Sequence, residues 1–324
     1  MSNLVTIFGG SGFVGRYVAR RLAKEGWRVR VAVRNPNEAM FVKPYGAVGQ
    51  VEPILANIRD DASVRAAMVG AQAVVNCVGS FDTRGKNTCD AVQAEGATRV
   101  ARIAAEEGVS RLVHLSAIGA DPESESGYTR SKAEGESGIL AHFPGAVILR
   151  PSIIFGPEDQ FFNRFAAMPG PVLPLVGAET RFQPVFVDDV AAAAEAAVLG
   201  RAAPGVYELG GPEVMSFRAM MQQMLGIIRR RKLIVNLPRW IAGIIAPIAG
   251  LGEVLSLGIV KAPITKDQIA DLQHDNVVAE GAKGLADLGI VPTSMEAVLP
   301  GYLWRFRPSG QFSDVKESAG NLKA

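Results

Sequence analysis

Three side chains, Ser116, Tyr128 and Lys132, have the types and spacing needed to deliver a proton to a carbonyl oxygen. Tyr128 and Lys132 are four residues apart, so on a helix their Cβ atoms lie on one face, roughly 5–6 Å apart. An ammonium beside a phenol lowers the phenol pKa, which is about 10 in an isolated tyrosine. The phenol could then donate a proton to a substrate oxygen that Ser116 polarises. These residues predict an acid–base site.

Two plainer interpretations of the same pair stay open. The spacing Tyr-x-x-x-Lys is common by chance, so Tyr128 could pack in the core without taking part in chemistry. Lys132 could serve only to hold the sugar of a bound nucleotide. The cysteines add no other chemistry, because Cys77 and Cys89 form neither a Cys-x-x-Cys motif nor a zinc spacing. We therefore predict no metal site and a reducing compartment.

An apolar run from Leu4 to Phe8 leads directly into glycines at positions 9, 12 and 15 and then into an amphipathic helix pattern. In a dinucleotide-binding loop the first glycine permits the tight turn, the second lets backbone approach a pyrophosphate, and the third lets the helix pack closely. The pyrophosphate then binds the N–H groups at the positive end of the helix dipole. The predicted contacts are Gly9, Gly10, Ser11, Gly12, Phe13, Val14 and Gly15. The alternative is a glycine-rich turn without a ligand.

Strand and helix patterns alternate along the first half of the chain, as a doubly wound parallel sheet requires. Further strands are predicted over 28–33, 51–55, 73–77, 111–115 and 146–149, and the clearest helix over about 88–107. The sequence therefore predicts an α/β fold, a Rossmann-type doubly wound parallel sheet with a small, mostly helical C-terminal lobe. Right-handed crossovers place the ligand-binding loops at the carboxyl ends of the strands.

Arg34 follows the second strand, where folds that prefer NAD usually carry Asp or Glu for the ribose hydroxyls. An arginine removes the anion that would repel a 2′-phosphate and offers a planar set of donors to it. We therefore predict NADP(H) rather than NAD(H) as the cofactor. A solvated surface arginine is the alternative. Other predicted cofactor contacts follow later strands or belong to the acid–base site: Asn57, Ile58, Val78, Gly79, Ser116, Tyr128, Lys132 and Pro151.

These motifs, in this order, resemble the short-chain dehydrogenase/reductase superfamily in its extended or atypical branch. The resemblance is carried by the segments at 9–15, 128–132, 150–156 and 183–190, which read GGSGFVG, YTRSK, RPSIIFG and QPVFVDDV. Within that branch the chain most resembles the nucleotide-binding accessory subunits of respiratory complex I. The segments that support this narrower likeness are 155–163, 207–213, 237–240 and 264–277.

The resemblance implies a Rossmann-type fold that holds NADP(H) tightly and acts in assembly or stability rather than in turnover. It also implies other complex I subunits as partners, at the junction of the peripheral and membrane arms. Two alternatives stay open. One is an active NADPH-dependent short-chain reductase or epimerase that uses Ser116, Tyr128 and Lys132. The other is a nucleotide-sensing regulator that keeps Arg34 and does not use Tyr128 in chemistry.

The composition changes near residue 233. A basic run at 229–232 precedes an apolar stretch over 240–260 whose only charge is Glu253. This length is enough to cross a bilayer, which takes about 20 apolar residues, but Pro247 and Glu253 argue against a simple spanning helix. Three interpretations stay open: a buried helix pair, peripheral attachment to a membrane surface or lipid through about 229–264, and a true span.

From these patterns we predict three regions. Residues 1–232 form the NAD(P)-binding domain, with lobe segments inserted after about 155. Residues 233–307 form an apolar, mostly helical lobe for partner or membrane contact, and 308–324 form a mobile tail.

The charge balance, 34 basic against 32 acidic residues, gives no field that would attract nucleic acid. Because the first strand begins at residue 4, we expect no targeting segment. The expected location is peripheral, on the cytoplasmic face of a bacterial inner membrane, or on the mitochondrial matrix face if the chain has been processed.

Overall fold

A computed structural model describes residues 3–80, 85–238 and 272–312, and these fall into two compact units. The first unit contains the described residues of 1–152, 187–210 and 278–292. The second contains those of 153–186, 211–277 and 293–324.

Thirteen strands occur in the part of the chain that the structure describes. They are β1 (Leu4–Phe8), β2 (Arg28–Val33), β3 (Val51–Leu55), β4 (Ala73–Asn76), β5 (Arg111–Leu115), β6 (Val147–Pro151), β7 (Ile154–Phe155), β8 (Val172–Leu175), β9 (Arg181–Phe182), β10 (Val185–Phe186), β11 (Gly205–Leu209), β12 (Met215–Ser216) and β13 (Leu233–Asn236). The α-helices are α1 (Phe13–Lys24), α2 (Asp61–Met68), α3 (Glu95–Glu106), α4 (Gly127–His142), α5 (Phe162–Ala167), α6 (Val187–Val198), α7 (Phe217–Ile227) and α8 (Met295–Leu303).

The first unit is built on a seven-stranded parallel sheet in the order β11-β6-β5-β4-β1-β2-β3. The chain starts in the centre, winds outward to β3, and then crosses to the other half of the sheet, which is the doubly wound order. Every residue of β1 is buried, as expected for a central strand covered on both faces. Helix α1 packs against α6, and α3 packs against α4. The predicted fold class and its central strands are confirmed.

One predicted helix differs in detail. The pattern predicts a continuous helix over about 88–107, whereas the structure has a π-helical turn at Asp90–Ala94 followed by α3. Such a turn accommodates one extra residue and rotates the side chains that precede it. Gln93 lies within this turn.

The second unit contains α5, α7 and α8 with three small two-stranded sheets, which pair β7 with β10, β8 with β13, and β9 with β12. Its core is rich in phenylalanine, with edge-to-face contacts such as Phe161 against Phe162 at 5.2 Å between ring centroids. Asp159 ties α8 to this core, because its carboxylate accepts hydrogen bonds from the Tyr302 hydroxyl (2.5 Å) and the Gly156 N–H (3.2 Å).

The two units do not divide the chain at the predicted boundary of 232. Residues 211–232 lie in the second unit because β12 pairs with β9 and α7 buries its methionines in the phenylalanine-rich core. Residues 278–292 lie in the first unit because Glu208 of β11 bonds to them through both side chain and backbone. Its carboxylate accepts from the Ala279 N–H (2.8 Å), and its N–H donates to the Lys283 carbonyl (2.8 Å).

Within the described residues, no helix combines the length and apolar character needed to cross a membrane. The apolar stretch at 240–260 lies outside the described residues, and so does most of the predicted tail. At its start, Gly310–Phe312 forms a short 3₁₀ helix.

Candidate functional site

The loop between β1 and α1 has the tight turn that its glycines predict. Gly9 has a φ of +72°, and its carbonyl accepts a hydrogen bond from the Gly12 N–H at 2.9 Å. A Cβ atom added to Gly15 would overlap the Gly9 carbonyl oxygen and lie 2.7 Å from the Gly10 Cα. The helix therefore approaches the loop more closely than a side chain at position 15 would allow.

The amino terminus of α1 is suited to an anion. Gly12 precedes the helix in an extended conformation and is exposed, and as a glycine it has no side chain to cap the first turn. The other predicted contacts of this loop, Ser11, Phe13 and Val14, surround the same terminus. Free N–H groups together with the helix dipole form the environment that binds a pyrophosphate, so this loop fits a dinucleotide.

Arg16 adds a positive charge that the sequence analysis did not consider. Its guanidinium donates to the carbonyls of Ser11 (3.1 Å) and Gly12 (3.2 Å) and lies 4.8 Å from the ring centroid of Phe41. The charge is therefore held beside the glycine loop. The sequence could have indicated this residue, because Arg16 lies in the first helical turn after the glycine motif. A phosphate bound at that turn would attract a nearby cation.

Arg34 directly follows β2 and is exposed, and within the described residues its guanidinium forms no ion pair. Along the next strand, the Asn57 N–H donates to Ser63 Oγ (2.9 Å), which shapes the entry to α2. Ile58 is only 9% exposed and packs in the core. Its side chain therefore belongs to the hydrophobic core.

Tyr128 and Lys132 lie on one face of α4, as the spacing predicts. The Lys132 Nζ lies 5.9 Å from the ring centroid of Tyr128 and donates to the Leu115 carbonyl at 3.0 Å. Lys132 is 4% exposed, and this burial lowers its pKa from 10.5 to about 8, although the nearby Glu136 carboxylate opposes the shift. The ammonium is therefore held rigidly beside the tyrosine ring.

Among the described residues, Ser116 forms no hydrogen bond with Tyr128 or Lys132. Its hydroxyl donates to the Glu136 carboxylate, which also accepts from Arg150 Nε (2.9 Å) and Nη2 (2.5 Å). Both Ser116 and Glu136 are buried, at 4% exposure each. A hydroxyl that donates to a buried carboxylate cannot donate the same proton to a substrate carbonyl. The structure brings together two members of the predicted trio and directs the third into an ion-pair network.

Gln93 is a candidate binding residue that the sequence analysis missed. It lies in the π-helical turn, is 1% exposed, and donates from Nε2 to the Ser80 carbonyl at 2.7 Å. Within the described residues its Oε1 has no hydrogen-bond partner. A Cβ atom added to the exposed Gly79 would lie 3.8 Å from this oxygen and 4.0 Å from Lys132 Nζ. An acceptor and a donor thus flank Gly79, an arrangement that fits a sugar hydroxyl.

The remaining predicted contacts lie at strand ends in supporting roles. The Val78 N–H donates to Asn76 Oδ1 at 3.1 Å, and the Pro151 carbonyl accepts from the Ile118 N–H at 3.1 Å. Nearby, burial lowers the pKa of His114 to about 3, so this ring is neutral, and its Nδ1 lies 3.2 Å from Asn76 Nδ2. These groups fix the ends of the strands that form the site.

Comparison with known proteins agrees with this geometry. Residues 9–149 match a family model described as NAD(P)H-binding. The mitochondrial NADH dehydrogenase (ubiquinone) 1 alpha subcomplex subunit 9 of Arabidopsis thaliana is 34% identical over 317 residues, which cover 95% of this chain and 79% of the relative. The chain belongs to the family of that subunit. The predicted resemblance is confirmed.

Two further comparisons concern enzymes. A ceramide reductase of Caulobacter vibrioides is 33% identical over 191 residues, covering 58% of this chain and 59% of the relative. Among solved structures, the NADPH-dependent quinone oxidoreductase QOR2 of Escherichia coli, complexed with NADPH, matches with a TM-score of 0.68 at 19% identity, covering 92% of this chain and 98% of its own. At that identity the match supports the fold.

The lowered pKa of Lys132 makes a pH dependence of nucleotide affinity an expected result. Below pH 8 the ammonium can make a charge-assisted hydrogen bond to a sugar hydroxyl, and above pH 8 it loses its charge. We expect affinity to fall roughly fivefold between pH 7 and 9, since a charged donor contributes about 1 kcal/mol more than a neutral one. Titration calorimetry measures this, and Lys132→Met is the control that removes the dependence.

The stability of the nucleotide-free protein should change in the opposite direction. The pKa of Lys132 is lower in the folded chain than in the unfolded chain, so the unfolded state binds more protons between pH 8 and 10.5. The contribution of Lys132 to the free energy of unfolding therefore rises with pH across that window.

For the affinity prediction, a nucleotide affinity that stays constant from pH 7 to 9 would contradict a contact between Lys132 and the sugar.

Proposed function

We propose that this protein is an NADP(H)-holding accessory subunit of a membrane-bound respiratory NADH:quinone oxidoreductase, in which the nucleotide serves stability and assembly. The observation that carries the proposal is 34% identity to a complex I subunit over 95% of the chain, combined with an intact glycine loop. A ligand present far above its dissociation constant adds a few kcal/mol to stability by mass action. A permanently bound dinucleotide would stabilise the first unit in this way.

The commitment of Ser116 to Glu136 supports a structural rather than a catalytic role. In this proposal the glycine loop seats the pyrophosphate, Arg34 binds the 2′-phosphate, and Lys132 fixes the nicotinamide ribose with Gln93 beside it. Tyr128 then contributes packing against the bound cofactor. Other subunits of the complex are the partners, at the junction of the peripheral and membrane arms. The protein is peripheral, on the cytoplasmic face of a bacterial inner membrane or on the matrix face in mitochondria.

The choice of NADP(H) can be tested by reversing the charge at Arg34. Arg34→Glu should weaken NADPH binding by about 10- to 100-fold, because a charge-assisted hydrogen bond contributes about 1.5–3 kcal/mol. NADH binding should stay the same or improve, since Glu can accept from ribose hydroxyls. Fluorescence titration with both nucleotides measures the ratio. Arg28→Glu, an exposed arginine at the start of the same strand, is the matched control. An equal loss of NADPH affinity in the Arg34→Glu and Arg28→Glu variants would mean that Arg34 acts only through the net charge of the protein and does not contact the 2′-phosphate.

A second candidate function is an active NADPH-dependent reductase or epimerase. It is favoured by Lys132 lying beside the Tyr128 ring and by the identity to a ceramide reductase over 58% of the chain. In that case Tyr128 would transfer the proton and the Ser116 hydroxyl would have to leave Glu136.

Removal of the Tyr128 hydroxyl separates the two functions. Under the accessory-subunit proposal, Tyr128→Phe leaves assembly of the respiratory complex and its NADH:quinone activity within about twofold of wild type, because the lost group does no chemistry. Native gel electrophoresis of membranes and the activity of the assembled complex measure the result. Normal assembly with lost NADH:quinone activity would contradict the proposal, because it would assign chemistry to the Tyr128 hydroxyl.

A further inference from the structure

The residues that follow α7 bring three arginines and two aliphatic side chains to the surface. Arg229, Arg230 and Arg231 are exposed, and β13 begins two residues later. Leu233 of β13 pairs with Val172 of β8, and these residues are 66% and 42% exposed. We call these five residues the arginine–aliphatic surface. Large aliphatic groups exposed beside a run of cations form the composition typical of an interfacial surface.

Arg229 has a backbone conformation that is more favourable for glycine than for arginine. Its φ is +53°, and every other positive-φ residue in the described part of the chain is glycine. The turn that ends α7 requires this conformation. In it the Arg229 N–H donates to the Gly226 carbonyl and the Arg230 N–H donates to the Leu225 carbonyl, each at 3.2 Å. The arginines line one open concavity with Leu225 and Gly226. Glycine at position 229 would make the folded chain more stable than arginine does. The presence of arginine there therefore points to a function of its charge.

Basic residues greatly outnumber acidic residues in the sequence around this surface. From residue 214 to 252 the chain has no Asp or Glu, and its basic residues are Arg218, Arg229, Arg230, Arg231, Lys232 and Arg239. Within the described residues, neither Arg230 nor Arg231 forms an ion pair. Burial and the neighbouring Arg230 lower the pKa of Lys232, as expected where like charges are close together. This local excess would attract a surface of fixed negative charge.

We propose that the arginine–aliphatic surface binds a bilayer containing anionic phospholipids, with the guanidinium groups on the headgroup phosphates and Leu233 and Val172 in the interface. The proposal deepens the proposed function and rests on it, since it assigns residues to the attachment of a peripheral subunit. Planar guanidinium groups suit phosphate oxygens. An acidic protein face would match the charge but would give no reason for two exposed aliphatic side chains at the same place.

The test is co-sedimentation of the full-length protein with phosphatidylcholine vesicles that contain or lack one third phosphatidylglycerol. Each basic residue near an anionic surface adds about 1 kcal/mol, or roughly fivefold in partitioning. The combined change of Arg229, Arg230 and Arg231 to Gln should therefore lower partitioning onto anionic vesicles by about 100-fold. It should leave binding to pure phosphatidylcholine unchanged. Three exposed arginines of the first unit, Arg20, Arg28 and Arg201, are changed to Gln together as the matched control.

Arg229→Gly separates lipid binding from folding. Glycine is favoured at this φ, so the variant should melt at a higher temperature than wild type while binding anionic vesicles about fivefold more weakly. Leu233→Ser should weaken binding to anionic vesicles without changing its salt dependence, because it removes apolar burial and no charge.

Three results would overturn the proposal. The first is that the triple variant of Arg229, Arg230 and Arg231 binds anionic vesicles as tightly as wild type does. The second is that the control variant of Arg20, Arg28 and Arg201 loses as much affinity for these vesicles as that triple variant. The third is that the wild-type protein binds polyglutamate more tightly than anionic vesicles and that Leu233→Ser has no effect on binding. This result would assign the surface to an acidic protein partner. Bound NADP(H) is quantified in every preparation. A failed lipid test with retained nucleotide leaves the accessory-subunit function standing, whereas loss of nucleotide from wild type contradicts that function itself.

Discussion

Under the proposed function, Gly15→Ala should lower the dinucleotide content of the protein and impair its assembly with partner subunits. The added methyl group would overlap the Gly9 carbonyl oxygen and approach the Gly10 Cα to 2.7 Å. Backbone atoms cannot rotate away as a flexible side chain can, so α1 must move off the glycine loop. Overpacking of this kind costs about 1–3 kcal/mol, and it displaces the N–H groups that we propose bind the pyrophosphate. Nucleotide released by acid from the purified variant and the melting temperature are the measurements.

The matched control for this change is Gly301→Ala in α8. It makes the same replacement inside a helix, but an added Cβ there meets nothing within 4 Å. We expect it to retain nucleotide and to be more stable by about 1 kcal/mol, because alanine is the better helix former. Full nucleotide content in Gly15→Ala would show that the loop does not grip the ligand as described.

Glu136→Ala should destabilise the first unit by about 3–5 kcal/mol, the typical cost of breaking a buried ion pair from one side. The substitution leaves the Ser116 hydroxyl without this acceptor. Among the described residues, the carboxylate left to pair with the Arg150 guanidinium is that of Glu208, at 3.8 Å. The Arg150 side chain is itself about a quarter exposed. Solvent screens its charge, so we expect a loss of stability near the lower end of this range. Chemical denaturation in saturating nucleotide measures the free energy of unfolding.

Glu134→Ala on the same helix is the control for Glu136→Ala. Glu134 is exposed, and exposed positions without special contacts change stability by about 0.5 kcal/mol or less. The double change of Glu136 and Arg150 to apolar residues should recover part of the loss, since no charge is then left unpaired. Equal effects of the Glu134 and Glu136 variants would mean that the network around Ser116 carries no stability.

The sheet and the glycine loop could be predicted because their determinants are local in sequence. Central parallel strands are buried on both faces, so they appear as continuous apolar runs such as 4–8. Gly9 and Gly15 are required by a turn and a close approach within a few residues of each other. The predicted strand over 73–77 differs from β4 by a single residue at its end.

The features that sequence reasoning missed depend on contacts between distant residues. The bond from Ser116 to Glu136 joins β5 to α4, and no spacing rule relates a strand-end hydroxyl to a carboxylate twenty residues later. Gln93 lies in a π-helical turn before α3 and faces Gly79, which is fourteen residues earlier in the chain. Similarly, 278–292 joins the first unit through Glu208, seventy-one residues before Ala279. Such pairings depend on tertiary packing and have no local pattern.

The most direct test of the central claim is gentle detergent extraction of native membranes, followed by analysis of what migrates with this chain and which nucleotide it carries. Our account predicts that the protein co-migrates with subunits of an NADH:quinone oxidoreductase and contains close to one NADP(H) per chain through the separation. A protein recovered alone, which exchanges nucleotide freely and reduces a carbonyl substrate with NADPH, would contradict it.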